Sequence, residues 1–155
     1  LTMALNVMLG DEELRRRFRA CGLRLTPQRA AIYRALVATT SHPTAETLYA
    51  SVRRTYPNLS QNTVYYTLSA LRRAGLVQEV NFGHDGARFD GNVTPHHHLI
   101  CTACHRIEDV MDERLDRLSL AAPVTKRFEV RRHRVEFYGF CERCRRKQQG
   151  TGGRR

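Results

Sequence analysis

Two Cys-x2-Cys pairs, Cys101/Cys104 and Cys141/Cys144, use four of the five cysteines in this 155-residue chain. Each pair presents two sulfurs from one tight turn, and two such turns facing each other make a closed tetrahedral site for structural Zn(II). The 36 residues between the pairs exceed the usual ribbon spacing, so the clip is expected to close a whole strand–helix–strand unit. A thioredoxin-like redox pair is the rival reading, and two pairs at the two ends of one β-rich stretch argue against it. Cys21 has no partner motif and lies on the apolar face of a helical stretch, where a buried core thiol is expected.

Directly before the first pair runs Pro95-His96-His97-His98-Leu99-Ile100. On a strand, His96 and His98 share one face and His97 takes the other. An alternating histidine pair is half a site for a borderline divalent metal; the alternative is a polar surface strand with satisfied histidines. Asp90 and Asp109 stand on flanking strands that could add oxygen ligands. His42, just before Pro43, reads on its own as a polar residue beside a helix.

The formal charge is +11, from 26 Lys+Arg against 15 Asp+Glu, and all the cations but Lys126 and Lys147 are arginine. The guanidinium fork suits phosphate and guanine, yet charge alone also fits an anionic membrane surface or an acidic protein. No apolar run reaches the ~18 residues of a membrane span. The opening stretch Leu1-Thr2-Met3-Ala4-Leu5 lacks a basic segment and a cleavage site, so it is expected to be a frayed terminus and not a signal peptide. A cytoplasmic, reducing setting follows, where cysteines serve as metal ligands.

These residues must be held by elements that the sequence also marks. Helices are expected from Asp11 to Cys21, after the Thr26-Pro27 cap, from Pro43-Thr44, and over 60–74 between Ser60 and Gly75. Leu76–Val80 and Ala87–Asp90 then bracket a Gly83–Gly86 turn as a β-hairpin. Helices ending in a hairpin describe a winged helix-turn-helix, with 60–74 as recognition helix and 76–90 as wing. The expected fold is α+β: a winged-helix DNA-binding domain over 1–90, a hinge over 91–95, and a small α/β zinc-clipped dimerisation domain over 96–147. That second domain is expected to have strands at His97–Cys101, Arg106–Val110 and from Phe128 through Tyr138, with one short helix around Leu115–Leu120. A basic tail over 148–155 reads as disordered. Arg24, Arg29, Arg72 and Arg73 fit phosphate contacts and a solvated face equally well.

Seven segments in order resemble the ferric uptake regulator (Fur) superfamily: His42-Pro43-Thr44-Ala45-Glu46, Tyr56-Pro57-Asn58-Leu59-Ser60, Thr63-Val64-Tyr65, Gly75-Leu76-Val77, Arg88-Phe89-Asp90, His96-x-His98-x-Ile100-Cys101-x2-Cys104, and His133-Arg134-Val135-Glu136-Phe137-Tyr138-Gly139-x-Cys141-x2-Cys144. Within it the chain is most similar to the peroxide-responsive, PerR-like repressors. The resemblance implies a homodimer on a palindromic operator in double-stranded DNA, with no enzymatic activity, no membrane, and H2O2 as the only small-molecule signal. It implies a regulatory Fe(II) or Mn(II) ion on His42, Asp90, His96, His98 and Asp109, with His42 and His96 the residues oxidised. Asp109 marks the peroxide-responsive type, since iron-responsive members usually carry Glu there. DNA contact carries over to Tyr65, with Asn62, Thr63, Tyr66, Arg72 and Arg24 as further candidates; Tyr66 replaces an Asn of the PerR-like pattern, so operator preference does not carry over. His97, Asp116 and His133 resemble a third metal site of some relatives, but Pro95 stands where one of its ligands would be. Three alternatives are an iron-, manganese- or zinc-responsive uptake regulator, a zinc-dependent hydrolase, and a zinc-ribbon interaction module. The hydrolase lacks a general base and cleft, and the ribbon module leaves the histidines without a role.

Overall fold

A computed structural model of the chain describes residues 9–81 and 86–150. Most of the expected frayed start, residues 83–85 of the expected turn and the end of the tail lie outside them. The chain divides into two compact units between Val93 and Thr94.

The first unit opens with α1 (Asp11–Ala20), whose acidic first turn and Arg17/Arg19 last turn match the helix dipole. Its buried residues are Leu14 and Phe18. Gly22 at φ +66° ends the helix. Cys21 is exposed, against the expectation of a core thiol. It is the C-cap, and after Gly22 turns the chain Leu23 and Leu25 take the place against the core.

Thr26 caps α2 (Pro27–Val37) by accepting from the Arg29 amide, with Pro27 at the first turn. Thr44 and Ser60 do the same for α3 (Ala45–Val52) and α4 (Gln61–Arg73). Ile32, Leu36, Val64, Leu68 and Leu71 form the centre of the core, with the Phe18 ring edge-on to Tyr33 at 5.7 Å. Gly75 at φ +71° stops α4. The wing follows as β1 (Gln78–Asn81) antiparallel to β2 (Ala87–Asp90), in the register Gln78↔Asp90 to Asn81↔Ala87. It starts two residues later than expected because the Leu76 amide still closes the end of α4, donating to Leu71 O at 3.0 Å. β2 is also tied to the loop before α3: the Phe89 amide donates to Pro43 O at 2.9 Å, and Thr44 bridges Arg88.

In the second unit β3 (His97–Cys101) lies between β4 (Ile107–Val110), antiparallel, and β5 (Glu136–Gly139), parallel. The strand expected from Phe128 forms only from Glu136. Phe128 and Val130 alternate as strand residues do, but Phe128 is 70% exposed and nothing among the described residues covers that face. The single helix expected at Leu115–Leu120 is two one-turn pieces, α5 (Glu113–Asp116) and α6 (Ala122–Thr125). α7 (Glu142–Gly150) runs three residues into the stretch read as a disordered tail, with Arg146 paired to Glu142 one turn earlier.

Candidate metal centres and nucleic-acid surface

The four cysteines of the two pairs converge in the second unit, every sulfur within 4.8 Å of the others. Zn–S bonds of about 2.3 Å at tetrahedral angles put sulfurs about 3.8 Å apart; Cys104 Sγ and Cys141 Sγ are 3.7 Å apart. The first knuckle is built by backbone bonds, Cys101 N to Arg106 O and His105 N to Cys101 O, around His105 at φ +59°. The Cys141 amide donates to Cys101 Sγ at 3.3 Å. That bond, with help from neighbouring amides, draws the Cys101 thiol down to about 6. Cys144, crowded first by the Cys104 sulfur, is pushed up to about 12. Four sulfurs this close cannot all ionise without a cation among them, and the residues therefore fit Zn(II).

The nitrogen and oxygen candidates lie in both units, all buried except Asp109, which is half-buried. In the first, His42 Nε2 is 3.6 Å from Asp90 Oδ2, with the two side chains 1% and 6% exposed. In the second, His96 Nε2 and His98 Nε2 are 3.6 Å and 3.9 Å from Asp109 Oδ1. β3–β4 pairing places His98 directly across from Asp109. These separations exceed hydrogen-bond length. Ligands about 2.1 Å from one ion lie about 3 Å apart when adjacent and about 4.2 Å apart when opposed, so the observed spacings suit atoms around a shared metal. Proton placement agrees. His42 Nδ1 donates to Thr40 O at 3.0 Å, and His96 Nδ1 donates to Thr94 O at 2.7 Å. A carbonyl can only accept, so in each neutral ring Nε2 keeps its lone pair for a metal. Thr40 and Thr94 escaped sequence reasoning, although the shared spelling Thr-x-His (Thr40-Ser41-His42 and Thr94-Pro95-His96) is the signal that could have found them. His42 sits at φ +51°, a costly conformation for a non-glycine residue, with its carbonyl accepting from Arg88 Nη1.

The sequence profile of the Ferric uptake regulator family matches residues 20–138. The chain belongs to the ferric uptake regulator family. It is 39% identical over 133 residues to the peroxide-responsive repressor PerR of Staphylococcus epidermidis, covering 86% of this chain and 87% of that one. The structure of the Campylobacter jejuni peroxide stress regulator superposes with a TM-score of 0.65 at 27% identity, over 86% and 97% of the two chains. The Helicobacter pylori ferric uptake regulator, with three functional metal-binding sites, shares the fold at a TM-score of 0.69 and 23% identity, over 86% and 90%.

His97, Asp116 and His133 do come together, but with the opposite proton placement. The Val135 amide donates to His97 Nδ1 at 3.0 Å, so the ring proton sits on Nε2, which donates to Asp116 Oδ1 at 3.1 Å. His133 Nε2 donates to Leu115 O at 2.7 Å, and its ring stacks on His97. Both Nε2 lone pairs are replaced by protons, and the cluster serves as a hydrogen-bonded clasp around α5 and the approach to β5.

Of the residues suggested for DNA by the family resemblance, Asn62, Tyr65 and Tyr66 are exposed on α4, Tyr66 at 74%. Thr63 is half-buried, with its amide and hydroxyl engaged by the Ser60 cap. Arg72 Nη1 pairs with Glu79 Oε2 at 2.9 Å, tying α4 to the wing. Arg24 is exposed ahead of α2, away from the α4 group in sequence, and its carbonyl accepts from Arg29. Tyr65 donates its hydroxyl hydrogen to Glu46 on α3, a residue that sequence reasoning missed.

Proposed function

We propose that the chain is a metal-dependent, DNA-binding transcriptional repressor that responds to peroxide, as the PerR relative is named. The observation that carries the reading is the donor set. Four sulfurs suit redox-inert zinc, whereas His42, Asp90, His96, His98 and Asp109 offer only nitrogen and oxygen, which suit Fe(II) or Mn(II). The family resemblance implies that these five serve one ion, so that His42 and Asp90 from the first unit and the rest from the second favour one DNA-competent arrangement when metal is present. Bound Fe(II) supplies reducing electrons to hydrogen peroxide, with its ligands as the nearest groups to be oxidised. The His42 and His96 rings are each fixed through Nδ1 on a carbonyl, which leaves Nε2 as the atom able to bind an ion and makes these two imidazoles the proposed targets. Oxidation removes a ligand, and the repressor leaves its operator.

The winged helix is proposed to read a palindromic operator through two copies of α4, with a cytoplasmic homodimer as the acting species. The uncovered apolar residues of the second unit, Leu118, Leu120, Val124, Phe128, Val130 and Phe137, support a second copy packing there.

The test loads the dimer with Fe(II) or Mn(II) without oxygen, adds stoichiometric hydrogen peroxide, and follows DNA release together with the mass of the His42 and His96 peptides. Release and a one-oxygen gain in the Fe(II) form only are expected. Retained DNA with unmodified histidines would make the protein a metal-uptake sensor instead.

A further inference from the structure

Tyr65 and Glu46 come from different helices, α4 and α3, and both are exposed at the surface where the recognition helix faces outward. The tyrosine hydroxyl donates to the Glu46 carboxylate. The bond lies in the wall of a groove lined by Thr44, Glu46 and Tyr65 and, from the wing, Ala87 and Phe89. Tyr65 holds the Glu46 carboxyl below its usual range, and Glu46 holds the Tyr65 phenol above its own, so the proton belongs to the tyrosine and the charge to the glutamate. A phenol has one hydrogen. With that hydrogen committed to Glu46, the oxygen can act toward anything else only as an acceptor.

We infer that Glu46 makes Tyr65 a base reader selective for amino groups. In the major groove the amino donors are adenine N6 and cytosine N4, whereas guanine and thymine edges present acceptors that an occupied hydroxyl cannot satisfy. Phosphate, an acceptor, is refused for the same reason. Glu46 is thus a positioning residue: its negative charge, unfavourable beside a phosphate backbone, is tolerated because it fixes the direction of the Tyr65 hydrogen bond. The inference rests on the proposed reading of α4 as the DNA-recognition helix.

The experiment selects from a pool of duplexes with a randomised core, using the full Mn(II)-loaded chain and its Tyr65→Phe, Glu46→Ala and doubly substituted forms. Wild type is expected to enrich adenine or cytosine at one position of each half-site by about five- to a hundred-fold, the range of one good base contact. Tyr65→Phe and Glu46→Ala should both flatten that position and no other, and the double variant should match Tyr65→Phe alone. Circular dichroism of the exposed-site variants should match wild type. The inference is overturned if Glu46→Ala strengthens binding to all sequences alike with the base profile unchanged, or if the position lost in Tyr65→Phe prefers guanine or thymine. A wild-type protein that enriches no sequence overturns the DNA-reading conclusion itself, an outcome distinct from the other two.

Discussion

Gly91 follows Asp90 and lies against the end of α2, where a Cβ would sit 2.9 Å from Val37 Cα and 2.9 Å from Val37 Cγ1. Carbon–carbon contacts settle at about 3.5–4.0 Å, so Gly91→Ala requires a movement of about 0.6 Å or more. A rotamer change can relieve Cγ1 but not Cα, and the backbone has to give. Overpacking of this kind costs about 1–3 kcal/mol. In a unit of this size that lowers the melting temperature by roughly 5–20 °C. The displaced segment includes Asp90, whose Oδ1 accepts from the Asn92 amide at 2.7 Å and whose Oδ2 faces His42. Mn(II) affinity is therefore expected to fall by about ten-fold or more, since carboxylate ligands must keep their distance within about 0.2 Å. Gly86→Ala is the control: its φ of +77° carries backbone strain, but no atom lies within 4 Å of the new Cβ. Calorimetric melting and Mn(II) titration measure the two effects. A Gly91→Ala melt within a degree or two of wild type refutes the packing argument, and unchanged Mn(II) affinity in a destabilised protein refutes the part given to Asp90.

Metal analysis of protein saturated with Zn(II) and Mn(II) should find one of each per chain; His133→Ala should leave that count unchanged, and Cys104→Ser should lose the zinc and unfold the second unit, because zinc of this kind supplies on the order of 10 kcal/mol of folding energy. A third ion lost in His133→Ala would refute the clasp. Asp112 caps α5, and Arg114 holds its carboxyl down to about 2. A depressed carboxyl contributes stability that is present above its unfolded pKa of about 3.9 and is lost as pH falls toward 2. Carbon-detected NMR should therefore find the Asp112 carboxyl titrating near the lower value, and Arg114→Ala should move it toward the ordinary one.

Three helices of the first unit, α2, α3 and α4, were legible because each carries its own start signal: Thr26, Thr44 and Ser60 all accept the amide that their position in the sequence suggests. The cysteine site was legible for a similar reason, since each Cys-x2-Cys builds its own knuckle. What could not be read depends on partners distant in sequence or outside the chain. Phe128–Val130 has the alternation of a strand, but alternation cannot say whether anything covers it. Cys21 has the spacing of a core residue, but Gly22 turns the chain one residue too soon.

The His96-His97-His98 run shows where the limit lies. Strand alternation separates His97 from its neighbours, yet it does not say which ring nitrogen holds the proton, and that decides whether a histidine can bind a metal. His96 takes its answer from a carbonyl two residues back, a local partner visible in Thr94-Pro95-His96. His97 takes the opposite answer from the Val135 amide, 38 residues on, through the parallel approach of β5 to β3. His96 and His97 thus divide between candidate metal ligand and structural donor according to the hydrogen bond each makes with the backbone. A sequence motif can nominate such residues; only the fold assigns their protons.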